Sequence, residues 1–169
     1  MKTIKSTLAA PAFFYDFPQK KEEILFFDIE TTGLSPKTSS IYLIGVVFYE
    51  AEKESFSQIQ WFAERNKDEK AVLVSFLDFL GRYRYLYHFN GKTFDIPYVL
   101  HKCKRHAILI DKHTETILND DTGVFSIDLL QRIRKLKRFL SLDKCNQKAL
   151  EQFLGIHRED PFSGGDLIS

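Results

Sequence analysis

The stretch Phe26-Phe27-Asp28-Ile29-Glu30-Thr31-Thr32-Gly33-Leu34 decides how this chain is read. The apolar run from Ile24 to Phe27 has the character of a buried strand. Asp28 and Glu30 stand two residues apart, and side chains alternate along a strand, so both acids project from one face. Two carboxylates so close repel each other, and burial aggravates the repulsion. A divalent cation is the usual compensation. Thr31-Thr32-Gly33 then ends the strand in a turn. That puts the acids at a carboxyl end, where open α/β sheets bind ligands.

A second stretch completes the pattern. Tyr85-Leu86-Tyr87-His88-Phe89 reads as another short apolar strand, broken by Asn90-Gly91. A helical pattern opens at Phe94-Asp95-Ile96-Pro97, with apolar positions at Phe94, Tyr98 and Val99. Asp95 therefore lies just past a strand, near a helix start. If the two strands are neighbours, Asp28, Glu30 and Asp95 form a three-carboxylate cluster. Hard oxygen ligands of this kind suit Mg²⁺ or Mn²⁺ rather than zinc.

Working outward, residues 1–21 read as an N-terminal arm, interrupted by Pro11 and Pro18, with Phe13, Phe14, Tyr15 and Phe17 available to pack it onto the body. Strands are predicted at 24–30, 41–49 and 55–62, the last two as a hairpin across a short polar connection. Asn66 and Glu69 have the spacing of a helix cap. Leu73, Phe76, Leu77 and Leu80 form one apolar stripe on the helix that follows, and Gly81 ends it. A strand at 84–89 and a helix at 94–105 come next. Residues 106–123 give no assignable element beyond a turn at 119–123. A fifth strand at 124–127 leads to Asp128, read as the cap of a helix to about residue 138, and a last helix at 142–154 is closed by Gly155. This order implies an α/β fold: a mixed five-stranded sheet with a three-strand antiparallel portion plus parallel strands, flanked by helices.

Asp28-Ile29-Glu30-Thr31-Thr32-Gly33-Leu34 resembles the first motif of the DEDD 3′→5′ exonucleases of the ribonuclease H-like superfamily, and Asn90-Gly91-Lys92-Thr93-Phe94-Asp95 resembles their second. Lys148 to Arg158 is similar to the segment before the third motif in the YprB-like branch. The resemblance spans residues 22–169 and implies one ribonuclease H-like exonuclease domain, with the first predicted strand central and the fourth beside it. It implies two Mg²⁺ or Mn²⁺ ions held by Asp28, Glu30 and Asp95, with Asp28 shared between them, and a single-stranded nucleic acid bound by its 3′ end. It further implies that the loop at Thr31, Gly33 and Leu34 meets the terminal nucleotide through backbone groups and an apolar wedge, and that Asn90 and Phe94 contact the substrate end. The family's third motif places a fourth carboxylate on a last helix, with a Tyr or His nearby. Residues 164–169 do not match it, so the domain is expected to lack that helix.

Composition bounds the alternatives. A chain of 169 residues with 44% apolar and 14% aromatic content is one packed domain, not a disordered segment. A net charge of +1 gives no global attraction to nucleic acid, so any such binding must be local. Arg132, Arg134, Lys135, Lys137 and Arg138 form the main basic run, either a solvated helix face or a phosphate-contacting edge. Cys103 and Cys145 fit no metal spacing and read as free thiols. The apolar run Leu8–Tyr15 is short and broken by Pro11, no stretch has the length of a membrane span, and the chain is expected to be cytoplasmic. His157, in the tail, precedes the position where a general base is sought. Two other readings compete with a nuclease. One is a nuclease-like module that binds nucleic acid or protein without cutting. The other is a phosphatase with an aspartate nucleophile, which requires Asp in place of Glu30.

Overall fold

The computed structural model describes residues 1–8 and 17–156. Pro11, Phe13, Phe14 and Tyr15 of the expected arm lie outside the described residues, as does the tail from His157 to Ser169.

The described strands are β1 (Lys2–Leu8), β2 (Ile24–Thr31), β3 (Ile41–Glu50), β4 (Ser55–Phe62), β5 (Tyr85–His88) and β6 (Ser126–Asp128). The helices are α1 (Glu69–Leu80), α2 (Asp95–Arg105), α3 (Lys112–Leu118), α4 (Leu129–Leu136) and α5 (Gln147–Phe153). One mixed sheet has the order β1-β4-β3-β2-β5-β6. β1 to β4 pair antiparallel, while β5 runs parallel to β2 and β6 parallel to β5. The strand that carries Asp28 and Glu30 is thus central, with the strand leading to Asp95 as its hydrogen-bonded neighbour.

The sheet buries both faces unequally. On one, Leu25, Phe27 and Ile29 of β2 join Ile44, Val46 and Trp61 under the stripe Val72, Leu73, Phe76, Leu77 and Leu80 of α1. Each such side chain is worth about 1.5–3 kcal/mol when withdrawn from water. Phe27 stacks on Phe76 with centroids 5.1 Å apart, which locks β2 to α1. On the other face a small cluster of Ile24, Tyr87 and Ile127 is flanked by Phe17, Phe26, Tyr85 and Leu129. β2 is apolar on both faces only as far as Phe27, and there its outward positions turn acidic.

The structure departs from the sequence reading in several places, among them the last helix, which spans Gln147–Phe153 rather than 142–154 because Asn146 caps it by accepting the Ala149 N–H. The sheet has six strands, not five, because Lys2–Leu8 of the expected arm pairs with β4 along its whole length. Only Ile4 and Leu8 in that strand are apolar, so periodicity gave no signal. Backbone pairing holds it, with the terminal amine 2.9 Å from Asp68 and Lys5 2.7 Å from Glu50. The cap expected from Asn66 and Glu69 does not form: a 3₁₀ turn occupies Asn66–Asp68, and Glu69 turns inward. Residues 106–123 contain α3, capped by Asp111, whose carboxylate accepts the His113 and Thr114 N–H groups at 2.9 and 3.0 Å. The last strand starts two residues later than predicted, because Asp120 gathers the N–H groups of Thr122, Phe125 and Ser126 and holds Val124 in the preceding turn.

Candidate active site

Asp28 and Glu30 leave β2 on the same face, and a bulge between Glu30 and Thr31 ends the regular pairing with β3. Asp95 arrives from the first residue of α2, immediately beyond the carboxyl end of β5. Its side chain is buried, and one carboxylate oxygen accepts the Ile29 N–H at 3.3 Å. Burial first, and the neighbouring Asp28 second, push the Asp95 carboxyl up to about 7. The same two causes raise Glu30. What favours the ionised form of Asp95 is backbone N–H groups, not a basic side chain.

Asp28 sits between two depressions. It lines an open cleft of about 870 Å³ together with Asp95, Asn90, Phe94, Arg134, Lys137 and Lys144. It also lines a shallower groove on the sheet face together with Glu30, Gly45 and Gln60. Asp95 faces only the first and Glu30 only the second. Among the described residues no three acidic, histidine or cysteine side chains converge into a ready-made metal cage. The donor set nevertheless fits a hard divalent cation: all-oxygen ligands, of which a buried Asp95 has its ionisation opposed by Asp28, a penalty a cation relieves.

The turn before Asp95 is built from buried polar groups. Asp128 caps α4 by accepting the Leu130 and Gln131 N–H groups, and reaches back to accept those of Asn90 at 3.0 Å and Lys92 at 3.4 Å. His88 accepts the Gly91 N–H through Nδ1 at 3.1 Å, so its proton sits on Nε2, 3.0 Å from Ser126 Oγ. Burial pushes the His88 imidazole down to about 4, so it is neutral. Ser126, His88 and Asp128 therefore do not act as a nucleophilic triad: the serine is fully buried, and the Nδ1 proton such a triad needs is replaced by a lone pair facing Gly91. A Cβ on Gly91 would lie 2.7 Å from the His88 ring, which explains the glycine.

The remaining predicted residues divide. Thr31 is buried and spends its hydroxyl on Gly33 O at 3.0 Å, so it shapes the turn. Leu34 is 86% exposed at the tip of the β2–β3 loop. Asn90 takes a left-handed conformation at φ 64° and accepts the Thr93 hydroxyl at 2.8 Å, yet it borders the cleft. Phe94 rests against Tyr98, centroids 5.4 Å apart, and borders the same cleft. Of the basic run, Arg134 and Lys137, one helical turn apart, line the cleft, whereas Arg132 reaches Gly123 O. Sequence reasoning missed Lys144 and Asn146 on the cleft wall, took Glu69 only as a capping partner, and did not foresee that Lys102 and Glu69 are buried. Lys102 had a signal: it falls on the helical stripe Tyr98, Val99, Lys102, Cys103, where a cation needs a buried partner.

The sequence profile of the RNase_H superfamily matches residues 25–169. No curated protein matches the chain. The fold is similar to part of the family B DNA polymerase from the archaeon Pyrobaculum calidifontis, with a TM-score of 0.64 and 17% identity over 86% of this chain and 20% of that one. It is similar to exonuclease I from Methylocaldum szegediense, with a TM-score of 0.56 and 15% identity over 81% of this chain and 36% of that one. Escherichia coli exonuclease I, in complex with a dT13 oligonucleotide, gives a TM-score of 0.52 and 12% identity over 79% and 36%. The chain thus spans from a fifth to little more than a third of these proteins.

Proposed function

The chain belongs to the RNase_H superfamily, and we propose that within it this chain is a nuclease domain that removes nucleotides from the 3′ end of single-stranded nucleic acid with Mg²⁺ or Mn²⁺. The observation that carries this reading is the position of Asp28, shared between a cleft it forms with Asp95 and a groove it forms with Glu30. An acid between two others is the arrangement that two ions at one scissile phosphate require. Asp28, Asp95 and Glu30 would hold such ions, which would supply Lewis acidity at the scissile phosphate. The chain's own residues do the rest. Asp95 gives up its proton to become a ligand, steadied by the Ile29 N–H. Arg134, Lys137 and Lys144 present positive charge to phosphates lying in the cleft. Asn90 and Phe94 border the same space, and Leu34 stands free to contact the terminal base. The similarity to exonuclease I supports the substrate class.

One observation favours a second reading, a module that holds nucleic acid without cutting it: the three acids do not converge into a closed cage among the described residues. Incubating a 5′-labelled oligothymidylate with the protein and Mn²⁺ separates the two. Products shortened from the 3′ end, absent with Asp28→Asn, support the nuclease. Retarded but intact strand selects the binding module. Neither binding nor shortening contradicts both.

A further inference from the structure

At the end of β2 the pairing with β3 changes register. Glu30 lies opposite Leu43, yet Thr31 lies opposite Ile41, so Tyr42 is an extra residue on β3. The shift persists into the loop, where Thr32 N donates to Ser40 O at 2.9 Å and Ser40 N donates to Thr32 Oγ1 at 2.9 Å. Two side chains, one from α1 and one from α2, hold the shifted segment. Glu69, the first residue of α1, accepts the Ile41 N–H at 2.7 Å. The Lys102 ammonium of α2 donates to Ser39 O. The two groups pair with each other at 3.3 Å, and the second Glu69 oxygen lies 2.6 Å from His106 Nε2. Glu69 is 3% exposed and Lys102 is wholly buried.

Stability alone does not account for this arrangement. Apolar side chains of similar volume often replace a buried ion pair without loss. Tyr42, the extra residue, buries its hydroxyl without a hydrogen-bond partner among the described residues, which is itself unfavourable. What a bulge does is bend the strands and re-aim the side chains beside it. Glu30 is the last residue of β2 in the regular register. It also shares its groove with Leu43 and Gly45, so the placement of β3 forms one wall of the space that Glu30 faces. We propose that Glu69 and Lys102 are positioning residues: by holding Ile41 and Ser39 they fix the bulge and so aim Glu30 at a divalent cation on the groove side of Asp28. This rests on the reading of Asp28, Glu30 and Asp95 as a cation site. Neither Glu69 nor Lys102 touches the ion, and the strand register carries their effect.

The test compares the parent with Glu69→Leu/Lys102→Met, which replaces the pair by apolar side chains, with Glu30→Gln, and with the triple variant. Mn²⁺ dissociation constants are read from thermal unfolding across a titration, and amide hydrogen exchange of Ile41 is followed without metal. The double variant should fold, because apolar replacement of a buried ion pair is often neutral. Its Ile41 amide should exchange roughly fivefold faster, the order of one lost intramolecular hydrogen bond. Its Mn²⁺ dissociation constant should rise by roughly tenfold or more, as when a group that orients a metal ligand is lost. The triple variant should bind no more weakly than Glu30→Gln, because the pair acts through that carboxylate. A folded double variant with the parent's Mn²⁺ affinity overturns the proposal, and so do losses that add in full. If the double variant does not fold, Lys102→Met alone decides, since it frees Ser39 O and leaves Glu69 on Ile41. Weaker Mn²⁺ binding in it supports the proposal, and the parent's affinity overturns it. A parent that gains no stability from Mn²⁺ overturns the cation site itself, and is told apart because Glu30→Gln then changes nothing.

Discussion

Asp95 and His88 carry opposite protonation costs within one short segment. The Asp95 carboxyl, pushed up to about 7, keeps its proton in the folded chain where the unfolded chain, at 3.8, has lost it. Stability from this group therefore falls as pH rises from about 4 to about 7. His88, pushed down to about 4, refuses a proton that the unfolded chain accepts below 6.5. Its contribution is fully present above pH 6.5 and is lost as pH falls toward 4. The two slopes oppose each other. Asp95→Asn should remove the falling one, so that urea midpoints, flat or declining in the parent between about pH 4 and 6.5, rise with pH in the variant. A variant with the parent's profile would mean that Asp95 does not hold its proton. The first motif made Asp28 and Glu30 legible in the sequence, because two same-face acids at the end of an apolar strand repel each other unless a cation joins them. The raised value of Asp95 was not legible, since it depends on burial against Asp28, which no spacing reveals.

At the scale of elements, the turn from His88 to Phe94 is the part that aims Asp95. Asp128 holds it through the N–H groups of Asn90 and Lys92 while capping α4 through those of Leu130 and Gln131, and Gly91 lets it close on His88. Gly91→Ala should cost about 1–3 kcal/mol, the range for overpacking a tight site. Asp128→Ala should cost at least about 1–3 kcal/mol, because it orphans several N–H groups, and Asp128→Asn should cost less, since its amide oxygen still caps α4. Denaturant midpoints of the three variants check this order. The stripes of α1 and α2 were legible from period alone. β1 was not, because a mostly polar edge strand is held by backbone pairing. Asn66 and Glu69 misled for a related reason: Glu69 has the spacing of a capping partner, but the buried Lys102 ammonium and the Ile41 N–H claim it. Tertiary demand outweighed a local signal worth about 1 kcal/mol.

For the whole molecule, the near-neutral net charge leaves the proposed nucleic-acid binding to the cleft. Replacing Arg134 and Lys137 with Gln should reduce the salt slope of single-strand binding by up to about 1.4, at about 0.7 per phosphate contact. The same change at Lys135 and Arg138, which do not border the cleft, should leave the slope unchanged. Equal slopes in both double variants would place the strand elsewhere. The sequence showed the basic run but not which of its faces turns inward, because that follows from the packing of α4 against the sheet. The order of the central strands was legible, since the two motifs demand neighbouring strands, and the pairing of β2 with β5 meets that demand. Everything proposed for the cleft depends on Asp28, Glu30 and Asp95 acting together as a divalent-cation site, and thermal unfolding across a Mn²⁺ titration reads that out without any substrate. The parent should gain stability with Mn²⁺, by about 2.7 kcal/mol at a hundredfold excess over the dissociation constant. Asp28→Asn should lose that gain while being at least as stable as the parent without metal, because it relieves the repulsion with Asp95 and Glu30. A gain of the same size in Asp28→Asn would contradict the assignment.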